Sequence, residues 1–285
     1  MRNAMTVDVE DFYQVSAFAK YIKCEEWPEY PQRIVESTRR VLEILAESDT
    51  RATFFVLAWV AERYPQLVHE IRAANHEIGL HSYGHRLIYE MSPDEFRTDL
   101  RKGKSILEDT LGEKVVSFRA PSFSITRASL WALDVLVEEG ILYDSSVFPI
   151  LHDRYGIPGG KIEIHTIKTS SGDLHEFPPS VTRFFGKNFP VSGGGYFRLY
   201  PYGFSRFCLR RVNRKEKRPF MFYVHPWEVD PGQPTLPFGG RVTRFRHRVG
   251  LSRNAEKLRK LLRDFKFAGM REIMDDFLKN REAAE

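Results

Sequence analysis

The run Ala52-Thr53-Phe54-Phe55-Val56-Leu57 is apolar at every position but one. A strand with one face in water alternates apolar and polar residues. A strand without that alternation is buried on both faces, the usual state of a strand in a parallel sheet covered by helices. The neighbouring sequence supplies those helices. Pro31 to Glu47 places Ile34, Thr38, Val41, Leu42 and Leu45 on one helical side. Ala61 to Asn75 predicts a second helix, interrupted near its start by Pro65.

The alternation continues in both directions. Ala4 to Val9 predicts a first strand and Glu77 to Leu80 a third. Ser92-Pro93-Asp94-Glu95 is a helix start, with a Ser cap, Pro at the first position and Glu at the third. That helix runs to about Leu111 and stops at Gly112. Val115 to Phe118 predicts a strand, Thr126 to Glu139 a helix, and Ile141 to Asp144 another strand. Strand and helix in repeated alternation specify a parallel α/β fold. After Pro149 the pattern loosens. Loops are expected at Gly156 to Gly160, Gly193 to Gly195 and Pro231 to Gly240. A strand follows at Phe220 to Val224, and helices at Leu251 to Phe267 and Arg271 to Asn280. With 285 residues the chain suffices for one large barrel, and no linker long enough to separate a second domain is visible.

The polar clusters fall where the strands end: Asp8, Glu10 and Asp11; His81 and His85; Arg119; Asp144; His225. The carboxyl ends of the strands are where a (β/α) barrel carries its active site. Histidine is the commonest side-chain metal ligand, and the i, i+4 pair His81 and His85 sets two rings on one side of a turn. Two neutral imidazoles and a carboxylate form a three-ligand set that leaves a fourth position for water. Strand alternation puts Asp8 and Glu10 on the same face.

In this order, these motifs resemble the polysaccharide deacetylases of the NodB-homology type, carbohydrate esterase family 4. The likeness covers Met5 to about Phe148 and resumes at Phe220 to His225. The wording Thr-Val-Asp-Val-Glu-Asp, Arg-Ala-Pro-Ser-Phe-Ser, Tyr-Asp-Ser-Ser-Val-Phe-Pro and His-Pro-Trp-Glu resembles the branch associated with exopolysaccharide and exosortase loci. The resemblance implies a deformed (β/α)7-type barrel with an irregular C-terminal extension packed on it. Its barrel would comprise residues 1–150 and 176–230, with 151–175 and 231–285 as family-specific loops and C-terminal helices. It implies metal-dependent N-deacetylation of N-acetylhexosamine units of a polysaccharide or its lipid-linked precursor. In that likeness Asp8 matches the general base, Arg119 the arginine that holds it, His225 the general acid and Asp144 the carboxylate that orients that acid. His81 and His85 match metal ligands. The family commonly has two adjacent aspartates where this chain has Asp8-Val9-Glu10-Asp11, so the third ligand is Glu10, with Asp11 as its competitor. Ser122 stands where a backbone N–H helps bind the oxyanion, and Trp227 is an aromatic available to the sugar. The metal expected is Zn²⁺, with Co²⁺ or Ni²⁺ as alternatives for the same donors. A hydrolase of another C–N bond, such as a cyclic amide, and a non-catalytic carbohydrate-binding relative are the alternatives.

Charge narrows the partners. The net +5 conceals a basic segment: Arg183 to Phe265 holds 19 Lys/Arg against 5 Asp/Glu. Such an excess suits an anionic partner. No nucleic-acid motif accompanies it, so the expectation is peripheral membrane contact through the basic 198–218 segment. There Arg206, Arg210, Arg211, Arg214, Lys215, Lys217 and Arg218 cluster beside Phe204 and Phe207. Cys24 and Cys208 form no metal or disulfide framework. Met1 to Met5 does not begin a secretory leader. The location these features predict is the cytoplasm, at the inner membrane face.

Overall fold

A computed structural model describes residues 1–152, 155–184 and 186–282, without the side chains of 280–282. Residues 153–154 and 283–285, within the expected loop and helix segments 151–175 and 231–285, lie outside the described residues, as does Phe185 of the basic segment.

The strands are β1 (Arg2–Val9), β2 (Thr53–Val56), β3 (Glu77–Leu80), β4 (Ser117–Phe118), β5 (Tyr143–Asp144), β6 (His165–Thr169), β7 (Gly172–Glu176), β8 (Val181–Phe184), β9 (Lys187–Pro190), β10 (Met221–Val224) and β11 (Lys266–Ala268). The helices are α1 (Ile34–Ala46), α2 (Ala58–Arg63), α3 (Pro65–Ala73), α4 (Pro93–Leu111), α5 (Trp131–Glu138), α6 (Gly194–Leu199), α7 (Tyr202–Arg214), α8 (Arg241–Arg248), α9 (Leu251–Asp264) and α10 (Met270–Glu282).

The main sheet runs in the order β10-β1-β2-β3-β4-β5-β7-β6. Its first seven members are parallel, and β6 returns antiparallel on β7. This is the seven-stranded parallel arrangement of a deformed (β/α) barrel. No ladder joins β7 to β10 among the described residues, so the ring is open there. Across the opening, Ser180 Oγ accepts the Met221 N–H at 2.8 Å. β2 is buried at all four positions, as its unbroken apolar run requires. α4 has the full signature its sequence announced: Ser92 and Glu95 form a capping box, and Gly112 ends the helix with φ +69°.

Three features depart from the sequence expectation. The stretch 151–175, expected as loop, supplies β6 and most of β7. The segment 231–285 does more than cover the barrel: Phe265 ends α9, and β11 then pairs parallel with β1 from Arg2 to Ala4. Pro65 separates two helices, because Tyr64 at their junction leaves the helical region (φ −130°, ψ 57°).

One glycine fixes the approach to the site. Gly193 has φ +133° and bridges Tyr223 of β10, and a Cβ there would stand within 3 Å of the Tyr223 backbone. Gly193→Ala must therefore push α6 away from β10 and adopt a backbone conformation that L-residues avoid. We expect a loss of about 1–3 kcal/mol, read as a lowered denaturant midpoint at unchanged slope.

Candidate active site

The turns after β1, β3, β4 and β10 converge on one buried point. Glu10, His81 and His85 each present a ligand atom there, all within 4.8 Å of one another. His81 Nδ1 lies 2.8 Å from the Arg119 carbonyl oxygen. A carbonyl can only accept, so Nδ1 carries the proton and Nε2 keeps its lone pair for the site. Burial lowers the His81 pKa to about 4, which holds the ring neutral. His85 Nε2 stands 2.7 Å from Glu10 Oε2. Burial would raise the Glu10 pKa, but the His85 and His225 rings outweigh it and hold the carboxylate down to about 2. Glu10 Oε2 and His85 Nδ1 are buried with no hydrogen-bond partner. Two imidazoles, one ionised carboxylate and an unsatisfied oxygen fit a divalent cation.

Asp11, the competing ligand, is engaged elsewhere. Its Oδ2 accepts the backbone N–H groups of Arg33 and Ile34 at the start of α1, and its Oδ1 accepts that of Phe12. It caps a helix, and burial raises its pKa to about 6.

Asp8 lies beside the ligand cluster. Arg119 is fully buried and donates from Nη1 to Asp8 Oδ1 at 2.6 Å and to Thr6 Oγ1 at 2.8 Å. Its Nη2 donates to Ser145 Oγ at 3.0 Å, and its guanidinium lies over the Phe55 ring. His225 Nε2 is 3.8 Å from Asp8 Oδ2 and 3.5 Å from Glu10 Oε1. Burial would lower the His225 pKa, but the carboxylates of Glu228, Glu10 and Asp8 overcome this and push it up to about 9. The site thus pairs a carboxylate held by arginine with an imidazolium.

The residue against His225 is not Asp144. Glu228 Oε2 lies 3.2 Å from His225 Nδ1 and also accepts the His225 backbone N–H at 3.1 Å. Asp144 makes no ion pair or hydrogen bond to His225; its Oδ1 accepts from Ser146, and its other neighbour is Glu176. The reason is register: Asp144 and Glu176 face each other across the β5–β7 ladder. Sequence reasoning took the acid at the end of a strand and passed over the one three residues beyond the histidine. That i, i+3 spacing was the available signal.

Trp227 is not an open sugar platform. It is buried, stacks on His225 at 5.4 Å and His247 at 4.7 Å, and directs Nε1 toward Glu10 Oε1 at 3.4 Å. Ser122 is half-buried, and its hydroxyl meets that of Ser16 at 2.8 Å. Ser82, His85, Ser122 and Phe123 all have φ between 52° and 64°. Such left-handed backbone in non-glycine residues is strained, and it clusters at functional sites.

The Asp144–Glu176 pair gives a prediction of its own. Burial raises the Asp144 pKa, and burial followed by the Asp144 charge raises that of Glu176 well above its ordinary 4.5. Asp144 Oδ2 and Glu176 Oε2 are both buried without a hydrogen-bond partner, a lack that a proton shared by the pair would satisfy. The folded chain then binds more protons than the unfolded one. The pair's contribution is complete below the ordinary carboxyl range and is lost as pH rises through the elevated folded value. Glu176→Gln keeps a donor without the titration. Melting temperatures of variant and wild type, compared from about pH 5 to about pH 8, should differ increasingly in the variant's favour as pH rises. A pH-independent difference would contradict the shared proton.

Residues 27–136 match the polysaccharide deacetylase family, and residues 145–275 match a domain of unknown function, DUF3473. A peptidoglycan-N-acetylglucosamine deacetylase of Bacillus cereus is 28% identical over 152 residues, 49% of this chain and 54% of that protein. A chitooligosaccharide deacetylase of Azorhizobium caulinodans is 32% identical over 30% of this chain and 40% of its own. The chain thus spans about half the length of the curated relatives it matches. A structure from Mycobacterium smegmatis, assigned as a polysaccharide deacetylase, superposes with a TM-score of 0.64 at 21% identity, over 98% of this chain and 90% of that one. At that identity the likeness is one of fold.

Proposed function

For a chain that carries a polysaccharide deacetylase domain, we propose metal-dependent N-deacetylation of N-acetylhexosamine units, in an exopolysaccharide or its lipid-linked precursor. The observation that supports it is that Asp8 and His225, 3.8 Å apart, both stand beside one cluster of Glu10, His81 and His85. Glu10, His81 and His85 would hold the cation, which when bound polarises an amide carbonyl and acidifies water. The chain's own groups do the proton work. Asp8, aimed by Arg119, takes a proton from the attacking water. His225, protonated by virtue of its carboxylate neighbours, gives one to the departing nitrogen. An amine is a poor leaving group unless protonated, so amide hydrolysis requires this acid, and each such group is worth roughly 10²–10⁴-fold. Ser122 offers a backbone N–H at the oxyanion position.

The acceptor's lipid linkage is supported by one face of the molecule. Phe204 and Phe207 of α7 are exposed with Phe189 of β9, and Arg214, Lys215 and Lys217 are exposed nearby. A cavity of about 480 Å³ opens beside them, lined by Arg206, Phe207, Arg210, Arg211, Arg214 and Lys215. Aromatics flanked by cations suit an anionic bilayer surface. Not all of the basic segment serves. Arg218 is buried against Glu216 and two carbonyls, and Arg206 and Arg210 pair with Asp264. No helix among the described residues is long and apolar enough to cross a membrane.

Two measurements test these readings. Zn²⁺-reconstituted protein should release acetate from N-acetylglucosamine oligomers, and His81→Ala should lose both stoichiometric metal and turnover. Asp8→Asn should keep the metal while turnover falls roughly 10²–10⁴-fold. By stranding Arg119 it should also cost up to about 3–5 kcal/mol of stability. Near wild-type turnover in metal-loaded Asp8→Asn removes Asp8 as the base.

Co-sedimentation with anionic vesicles tests the face. Replacing Arg214, Lys215 and Lys217 by Gln removes about 1 kcal/mol each, so binding should weaken roughly 10²-fold. Binding that ignores both lipid charge and salt would end this reading.

A further inference from the structure

Residues 145–275 match a domain with no assigned function, yet they supply the whole acid side of the site. We propose that Arg198 is a positioning residue for His225, acting through Glu228, and that the segment from α6 to the end of α8 is the clamp that holds it. The inference rests on the deacetylase reading above.

The geometry is a chain of direct side-chain contacts. Arg198 sits on α6 and is buried. Its Nε donates to Glu228 Oε1 at 2.7 Å. Its Nη1 donates to the carbonyls of His247 and Val249, each at 2.8 Å, and its Nη2 to that of Arg246 at 3.1 Å. These carbonyls belong to the carboxyl end of α8, where intrahelical partners run out and the helix dipole is negative. A guanidinium is suited to such a fork of acceptors, and each of its three nitrogens donates. It also lies over the Trp227 ring at 4.9 Å.

Glu228 and Trp227 both confine His225. Glu228 Oε2 stands at one edge of the imidazole, and Trp227 covers one face. Both lean on Arg198. The contact of His225 Nδ1 with Glu228 is close in distance but off-line in angle, an ion pair rather than an aligned hydrogen bond. Without its Oε1 anchor, that carboxylate keeps only the His225 backbone N–H as a hydrogen-bond donor. Lys257 of α9 donates to the carbonyls of Phe197, Arg198 and Tyr200, which fixes the backbone carrying the guanidinium. Gly250, at φ +74°, brings the chain so near that a Cβ would stand 2.5 Å from the Arg198 oxygen.

A buried ion pair adds little net stability compared with apolar residues of the same shape. Apolar residues at 198 and 228 would fill the space but leave no carboxylate oxygen beside Nδ1. What the pair provides is orientation. During the reaction the proton leaves His225 Nε2 for the nitrogen as the C–N bond breaks, while Glu228 stays ionised, with its charge fixed by Arg198.

The test compares two substrates and reads a structure. N-acetylglucosamine oligomers need a proton on the leaving amine; 4-nitrophenyl acetate, with a stable phenolate leaving group, does not. In Arg198→Met, kcat on the amide should fall roughly 10–10²-fold with KM little changed, less than the full loss of an acid. Ester cleavage should stay within about 2-fold, and Arg198→Lys should lie between wild type and Arg198→Met. Combining Arg198→Met with Glu228→Gln should cost no more than the worse single change, because both act through one contact. A crystal structure of either Arg198 variant should show the Glu228 carboxylate displaced from His225. Equal losses on amide and ester, additive losses, or an unmoved Glu228 would overturn the proposal. If wild type releases no acetate, the deacetylase reading fails, while the position of Glu228 in the variants still decides the role of Arg198.

Discussion

The ion pair between Arg119 and Asp8 is the interaction on which the rest of the site depends. A guanidinium with no exposed surface needs every donor matched, and it finds those matches on several elements at once: Thr6 and Asp8 on β1, and Ser145 just past β5. The Phe55 ring of β2 lies beneath it. Satisfying one cation therefore fixes the relative height of these strands. Because Arg119's own carbonyl also meets His81, the same residue positions both Asp8 and His81. A shift of the β4 end would disturb both together.

The first half of the fold was legible because its elements are long and periodic. β3 spans Glu77 to Leu80 as read, and α4 begins and ends at its caps. The stretch from 150 to 219 was not, although the strand at Phe220 to Val224 and the two C-terminal helices were. β6 to β9 are strands of four or five residues with mixed faces, and α7 carries so many arginines that its apolar stripe is hard to see. The site was half legible for a related reason. Strand alternation identifies which residues share a face, and it put Asp8 with Glu10 correctly. It does not say which of two strand-end carboxylates meets a histidine from another strand. Asp144 was misplaced on that count, and Glu228 lay unnoticed in a turn.

The basic excess of the C-terminal half also divides on inspection. Part is internal wiring: Arg198 and Arg218 are buried and spend their donors on carbonyls and carboxylates. Part is surface, and only that part contributes to a long-range field. Net charge from sequence counts both alike, although a neutralised buried arginine attracts nothing at a distance.

The position of β1 has a consequence for how the chain is made. It pairs with β2 on one side and with β10 and β11 on the other. Ala4 finds its partner at Met221. At roughly 5–20 residues per second, a ribosome needs about 10–40 s to reach that partner. Through that interval the strand bearing Asp8 has one open edge, an invitation to wrong pairing. Contacts this distant in sequence also make closure slow. The candidate site joins Asp8 to His225, residues far apart in sequence, so a chaperone that shields unpaired strands would find in β1 a natural client.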